Sequence, residues 1–348
     1  MSAGAGLDGR TSVEDGRTLV EPEVQPGDVE PVVRPAEPPR TVSGRWRRGR
    51  VVGVAAVLCA LLMAAHSLVP NGFGNLGSLW QTVLPWSGVA VVGLAVLAGV
   101  RRSALAAVAV LIPAVVWCSL FAGTLGDRRA DGGNLTVVSH NVSEENPDPG
   151  RTARALAASG ADVLALEELS RRSAPVYERE LASSYPYFAV REGIGVWSKH
   201  PLSAVEPVEI MPWTRAVRAT VGTPQGPVAL YVAHLASVRV LPVGGFATAQ
   251  RNEAAGKLAD AVRAEKLPRV VVAGDLNGSV DDSALGSLTG LLRSAQEEAG
   301  DGFGFSWPAS FPVVRIDQIL VKGVTPVAAW TLPGTGSDHL PVATSLRL

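Results

Sequence analysis

Val270-Val271-Val272-Ala273-Gly274-Asp275-Leu276-Asn277-Gly278 is the stretch whose reading decides the fold. Three β-branched residues and two small ones read as a fully buried strand. The strand stops at Gly-Asp and leaves a carboxylate and a carboxamide at its end. On an extended backbone, Asp275 and Asn277 project to the same side. Gly274 and Gly278 let the backbone come close to whatever these two groups hold. An Asx-rich turn capping the next helix fits the same residues, so other strand ends must supply the partners.

Five positions supply them. Asn141 ends the apolar run 135–141, and Glu167 and Glu168 follow the buried run 162–166. His234 ends 228–234, Asp317 is set into the apolar strand 316–321, and Asp338-His339 stands just before the last strand, 342–346. Polar residues at strand ends are where layered α/β folds build their sites. An acid beside a dense core is costly unless paired or bound to a cation, and Asn and Glu oxygens suit Mg²⁺ or Ca²⁺. Asn141, Glu168 and Asp338 are therefore expected to hold a hard divalent cation. Asp275 and Asn277 would orient an attacking water and the phosphoryl oxygens. His339, steered by Asp317, and His234 would handle protons or stabilise transition-state charge.

The rest of the chain sets the context. At 348 residues it allows two or three domains. A mean hydropathy of +0.22 with 18% charged residues is too apolar for an ordinary soluble enzyme, so the excess must be localised. Residues 1–44, rich in Pro, Gly, Glu and Arg near their start, read as a disordered cytoplasmic tail. Residues 45–126 hold three uncharged apolar runs, 51–69, 82–100 and 104–122, each near the roughly 20 residues that cross a bilayer. Arg40, Arg45, Arg47, Arg48, Arg50, Arg101 and Arg102 fall on one side of these runs, and only Arg128 and Arg129 on the other. Three crossings with that bias put the N-terminus in the cytoplasm and all that follows outside. The lipid bilayer is thus the first partner expected. Cys59 and Cys118 both lie in apolar runs, which leaves the polar part no disulfide framework or thiolate metal site.

After a linker at 127–133, residues 134–348 have the texture of an α/β domain. Strand-like runs stand at 135–139, 162–166, 195–198, 216–221, 228–233, 270–273, 316–321, 327–331 and 342–346, with helices at 151–159 and 250–266. Strands in neighbouring pairs between few helices predict two packed sheets with helices outside.

The ordered set Asn141, Asp-Val-Leu-Ala-Leu-Glu-Glu at 162–168, Gly-Val-Trp-Ser-Lys-His-Pro-Leu at 195–202, His234, Gly-Asp-Leu-Asn at 274–277, Arg-Ile-Asp-Gln-Ile-Leu at 315–320 and Ser-Asp-His-Leu-Pro-Val at 337–342 resembles the endonuclease/exonuclease/phosphatase superfamily. The resemblance covers 134–348 and none of the apolar part. It implies a four-layer α/β sandwich of two mixed β-sheets flanked by helices, preceded here by three transmembrane helices. It also implies hydrolysis of a phosphate ester by activated water with Mg²⁺, with Mn²⁺ or Ca²⁺ as alternatives. Glu168 resembles the family's metal-binding glutamate and Asn141 its asparagine near the metal. Asp275 and Asn277 resemble its GDxN pair, and Asp317, Asp338 and His339 its closing acids and histidine. His234 resembles the second histidine of the DNase I and sphingomyelinase branches. Where members commonly have Gln before the ligating Glu, this chain has Glu167.

The substrate stays open between nucleic acid, a phospholipid and a small phosphate ester. Residues 134–348 carry 19 Lys and Arg against 22 Asp and Glu, whereas duplex-DNA binders usually present an excess of positive charge. An exported nuclease and a sphingomyelinase-like phospholipid phosphodiesterase are the enzyme alternatives. A catalytically inactive membrane receptor or scaffold is the alternative of another class.

Overall fold

A computed structural model of the chain describes residues 49–72, 74–241 and 245–348. The tail predicted at 1–44 lies outside the described residues, as do four of the five basic residues before the first apolar run.

Among the described residues, four helices come first, α1 (Arg50–Ala64), α2 (Leu76–Thr82), α3 (Ser87–Val100) and α4 (Ala104–Leu125). Three transmembrane helices were expected, and among the described residues only α4 is by itself long and apolar enough to cross a membrane. The run 82–100 breaks at Val83, where α2 and the helical segment through α3 meet at 64°. Pro85 stands in the 3₁₀ turn Leu84–Trp86 at that corner, where its missing N–H and fixed φ favour a new helix start over a continued one. The 15 residues of α1 rise only about 22 Å before a 3₁₀ turn takes over, short of a roughly 30 Å hydrocarbon core.

Fourteen strands follow among the described residues. One six-stranded sheet has the order β13 (Thr325–Thr331), β14 (Val342–Arg347), β1 (Leu135–Asn141), β2 (Val163–Glu167), β4 (Ile194–Ser198), β3 (Tyr187–Arg191). The other runs β11 (Arg293–Ser294), β12 (Asp317–Lys322), β10 (Val270–Asp275), β7 (Gly226–Ala233), β6 (Ala216–Thr223), β5 (Leu202–Pro207). Both are mixed, with β1 parallel to β2, β7 parallel to β10, and the remaining pairs antiparallel. A small hairpin, β8 (Arg239–Leu241) and β9 (Gly245–Ala247), stands apart.

The two sheets pack face to face. Val137, Val163 and Val196 of the first meet Val217, Leu230 and Val271 of the second in one buried cluster. On the outer face of the first sheet, α5 (Pro149–Ala158) and α6 (Ala174–Leu181) place Leu156, Tyr177 and Leu181 against Leu164, Leu166 and Trp197. On the other outer face, α7 (Ala249–Ala264) sets Ala255, Leu258 and Val262 on Val270 and Val272. The order is helices, sheet, sheet, helices, which is the expected four-layer sandwich. The start of α5 follows the usual chemistry, with Pro149 in its first turn and the Asp148 carboxylate accepting from Arg151 N at 2.8 Å. Gly160, at φ +74, closes the helix as expected. Of the missed strands, β3 and β5 are edges with many exposed residues, so they lack the apolar runs that mark buried strands, and β8, β9 and β11 are only two or three residues long.

Strand parity positions the site. Side chains alternate faces with period two. Val137, Val163, Leu230, Val271 and Val321 face the inter-sheet core, so Asn141, Glu167, His234, Asp275 and Asp317 share that inward parity at one end of the sandwich. The core gives way there to polar groups.

Candidate active site

The end of β10 is held tightly. Gly274 lies at φ +150, and a Cβ there would meet Ala233 O at 1.9 Å, so only glycine lets β10 close onto β7 just before the turn at 275–277. Asp275 pairs in register with Asp317 of β12, and Leu235 N donates to Asp275 O at 2.9 Å. The chain then leaves the strand, and Asn277 takes a left-handed φ of +47. Its N–H donates to Asp275 Oδ1 at 2.9 Å and its Nδ2 to Leu235 O at 3.0 Å. Asn141, from the facing sheet, donates from Nδ2 to Asp275 Oδ2 at 3.2 Å, joining the two sheets at this one carboxylate.

Two histidines flank Asp275. His234 Nε2 lies 3.6 Å from Asp275 Oδ2 and 3.6 Å from Glu168 Oε1, and His339 Nε2 lies 3.9 Å from Asp275 Oδ2. Their charge states differ. Arg215 donates from Nη1 to His234 Nδ1. A guanidinium cannot accept, so Nδ1 must, and the proton of the neutral ring sits on Nε2, aimed at the carboxylates. Burial, helped by the charges of Arg215 and His339, lowers the His234 pKa to about 3. Burial also works to lower that of His339, but the hydrogen bond and charge of Asp317, with Asp275 and Asp338 near, carry it up to about 9. His339 Nδ1 meets Asp317 Oδ2 at 2.9 Å, and Ser306 Oγ donates to the same oxygen at 2.6 Å. At neutral pH one imidazole is a neutral N–H donor and the other a cation.

Burial and the Asp317 charge lift the Asp275 pKa to about 7. Asp275, Asp317 and His339 are a group of donors close enough to share a metal ion. Asp317, however, already serves His339 and Ser306, which leaves Asp275 as the member free to face outward.

The two glutamates separate by parity. Glu167 is the last residue of β2 and points inward, fully buried, accepting from Ser139 Oγ at 3.2 Å with its other oxygen unpartnered. Burial drives its pKa well up, with the charges of Asp317 and Asp275 adding to the rise. Glu168, just past the strand at φ +59, turns its side chain to the cavity.

That cavity, about 370 Å³, is lined by Asn141, Glu168, Asp275, Asn277, Asp338 and His339. Asp317 stands behind it, bonded to His339, and His234 stands 3.6 Å from both Glu168 and Asp275. All eight expected residues thus converge on one place. Asp338 is the outermost, exposed, accepting from Trp307 Nε1 at 3.3 Å. His140, which directly precedes Asn141, is fully buried and bonded to Thr335 Oγ1 at 2.7 Å, facing away from the cavity. The donor set fits a hard divalent cation. Carboxylate oxygens of Glu168 and Asp275, with the Asn141 carboxamide beside them and Asp338 at the mouth, line one cavity, and hard oxygen donors of this kind suit a divalent cation.

Several residues here lie outside the eight expected to do the chemistry. Arg215 lies opposite His234 by the register of the β6–β7 hairpin, in which Ala216 pairs with Ala233, and that hairpin is readable from the turn at 223–226. The rest comes from afar. Leu79 and Thr82 of α2 and Phe246 of β9 form the rim. Helix α2 is tied down by Ser78 Oγ to Asp282 Oδ1 at 3.0 Å, Ser283 N to Gln81 Oε1 at 2.8 Å, and Asn75 Nδ2 to Phe246 O at 2.6 Å. Asp282 in turn holds the buried Arg251 at 2.6 Å, and Arg251 donates to Asn277 O at 3.4 Å. Arg251 and Arg218, which forms an ion pair with Glu265 at 3.1 Å, are both spent internally.

Residues 138–339 match the model of the Endonuclease/Exonuclease/phosphatase family. No curated protein matches the chain. Among solved structures, D. rerio TDP2 complexed with single strand DNA product is similar at 20% identity over 62% of this chain and 99% of that one, with a TM-score of 0.51. The mannosyl-6-phosphatase Bt3783 of Bacteroides thetaiotaomicron is similar at 16% identity over 62% and 100%, with a TM-score of 0.50. The beta toxin of Staphylococcus aureus is similar at 14% identity over 61% and 99%, also at 0.50. At these identities the likeness shows the fold.

Proposed function

Because the chain belongs to the endonuclease/exonuclease/phosphatase family and is a hydrolase of phosphoester bonds, we propose that it is a membrane-anchored, metal-dependent phosphoesterase that works outside the cytoplasm. The observation that carries the chemistry is Asp275, set between a neutral and a charged imidazole at the junction of two sheets. Asn141, Glu168 and Asp338 would hold Mg²⁺, with Mn²⁺ or Ca²⁺ as alternatives, and the ion would supply Lewis-acid stabilisation of phosphoryl charge. Asp275, lifted toward neutrality, accepts a proton from the attacking water. Asn277 fixes that carboxylate through its N–H. His234 Nε2–H and the His339 cation donate to oxygens that gain charge in the transition state.

The anchor is supported by where the apolar surface lies. Val51, Val54, Leu61, Val92, Val96, Val108, Leu111 and Val115 are all exposed on α1, α3 and α4. A surface of that extent in water is costly and marks a membrane or partner contact. Orientation is supported by charge. Gly49 sits beside Ser103, so α1 and α4 start at the same end, and Arg50, Arg101 and Arg102 gather there, away from residues 127–348. The positive-inside bias assigns that end to the cytoplasm.

The test uses the full chain in detergent. Hydrolysis of a phosphodiester, a phosphomonoester or plasmid DNA is expected with Mg²⁺ and is lost on chelation. Folded protein that turns over none of them would support the inactive receptor or scaffold. A reporter fused after Leu348 that signals from the cytoplasm would overturn the orientation. The two glutamates give a sharper check. Glu168→Gln is expected to raise the Mg²⁺ requirement on the order of 10–100-fold. Glu167→Gln, at a buried side chain bonded to Ser139 and absent from the cavity lining, should leave it near wild type. The reverse result in a Mg²⁺ titration would reassign the ligand.

A further inference from the structure

The rim of the cavity continues into the helices. Between α3 and α4 lies a groove of about 500 Å³ lined by Trp86, Val89, Val92, Ala114 and Trp117, with Phe303 and Phe305 as its floor. No charged side chain lines it. Val89 and Val92 are 63% and 64% exposed, so the groove opens sideways on the same apolar faces that would meet a bilayer. Its floor belongs to the α/β domain. Phe305 stacks on Trp86 at 6.0 Å, and Phe303 packs on Trp117 and Phe121.

The groove ends where the active site begins. Trp86 Nε1 donates to Val313 O at 2.7 Å, and the next residue, Val314, lines the catalytic cavity. Thr82, four residues before Trp86, lines that cavity too. The corner Thr82–Trp86 thus has the apolar groove on one side and Asp275 with its partners on the other.

We propose that the substrate is a lipid phosphoester, entering from the membrane plane with its hydrocarbon chain in this groove and its phosphoryl group in the cavity. The inference rests on the phosphoesterase reading and on the helices lying in a bilayer. An amphiphile matches the two compartments, since an uncharged slot beside a polar, acid-rich cavity complements one apolar chain joined to one phosphoryl head. The other occupants fit less well. A polynucleotide has nothing to place in the slot, and the excess of acidic over basic residues in 134–348 disfavours a polyanion. The broken α2–α3 corner acquires a reason here. A straight span would leave no helix over the cavity and no path from bilayer to site.

The experiment compares matched phosphoesters in mixed micelles of the full chain with Mg²⁺. Hexadecyl and methyl p-nitrophenyl phosphate differ only in the alkyl chain, as do hexadecyl and methyl phosphate for monoester cleavage. The measured quantity is the ratio of kcat/KM for the long-chain to the short-chain ester. Wild type is expected to favour the long chain by about tenfold or more. Ala114→Phe and Val92→Trp, which fill the groove from its two walls, should each lower that ratio by about tenfold. Each ratio is taken on one protein sample with micelle partition unchanged, so a poorly folded variant does not alter it. A wild-type ratio near one, or a ratio unmoved by both substitutions, overturns the proposal. Cleavage of plasmid DNA with neither ester cleaved overturns it while leaving the phosphoesterase reading intact. No hydrolysis of any phosphoester removes both.

Discussion

Asp275→Ala is expected to lower kcat/KM on the order of 10³-fold or more at saturating Mg²⁺. The carboxylate is touched from both sheets. It accepts from Asn141 Nδ2 and Asn277 N, and it stands 3.6 Å from His234 Nε2 and 3.9 Å from His339 Nε2. Its removal takes away the proton acceptor and also lets Asn141 and Asn277 lose register. Asp275→Asn separates these effects, keeping shape and hydrogen-bonding capacity at one oxygen while losing the base. The two variants should be comparably inactive. Neither should melt far below wild type, because burying this acid costs the fold stability to begin with. Activity within a few-fold of wild type in either variant would take Asp275 out of the chemistry.

Asp317→Asn should reduce the rate on the order of 10²–10⁴-fold without touching the cavity surface. Asp317 acts through His339, which it holds by Nδ1 at 2.9 Å. Without that charge, burial dominates and the imidazole becomes neutral near pH 7. A stability readout in the metal-free protein distinguishes this from simple damage. The folded-state pKa of His339, about 9, is raised above an unfolded value near 6.5. Its contribution to stability is therefore full below about 6.5 and is lost as pH climbs through 9. Wild-type melting temperature should fall across that window, and Asp317→Asn should flatten the fall. His140 and His234, both lowered to about 3, change their contribution only on the acid side of the window. An unchanged slope would mean that Asp317 does not set the charge of His339.

Much of the site was legible in the chain because strand ends are local. A run such as 270–275 declares a buried strand by its β-branched residues, and period-two parity then places Asp275 on the inward face. The same holds for Asn141, His234 and Asp317, which is why four short runs from distant parts of the sequence could be read as one cluster. Glu167 and Glu168 show the limit. Their order is plain, but which one faces the cavity depends on where β2 stops pairing with β4 and the chain turns to φ +59. The three apolar runs show a different limit. Hydropathy measures composition along the chain, and the bend at Val83 and the early end of α1 are matters of backbone geometry and packing that composition does not report.

The sequence by itself determined the layered α/β class, the family and the eight polar residues of the site, since each follows from a pattern a few residues long. Only the tertiary structure decided the charge states of the two histidines. These depend on Arg215 and Asp317, groups 19 and 22 residues away brought within hydrogen-bond reach. It alone also set α2 over the cavity through Ser78, Gln81 and Asp282, more than 200 residues apart in the chain. Contacts of that separation leave no local periodicity, because the residues that make them are ordinary helix and turn residues until the fold brings them together.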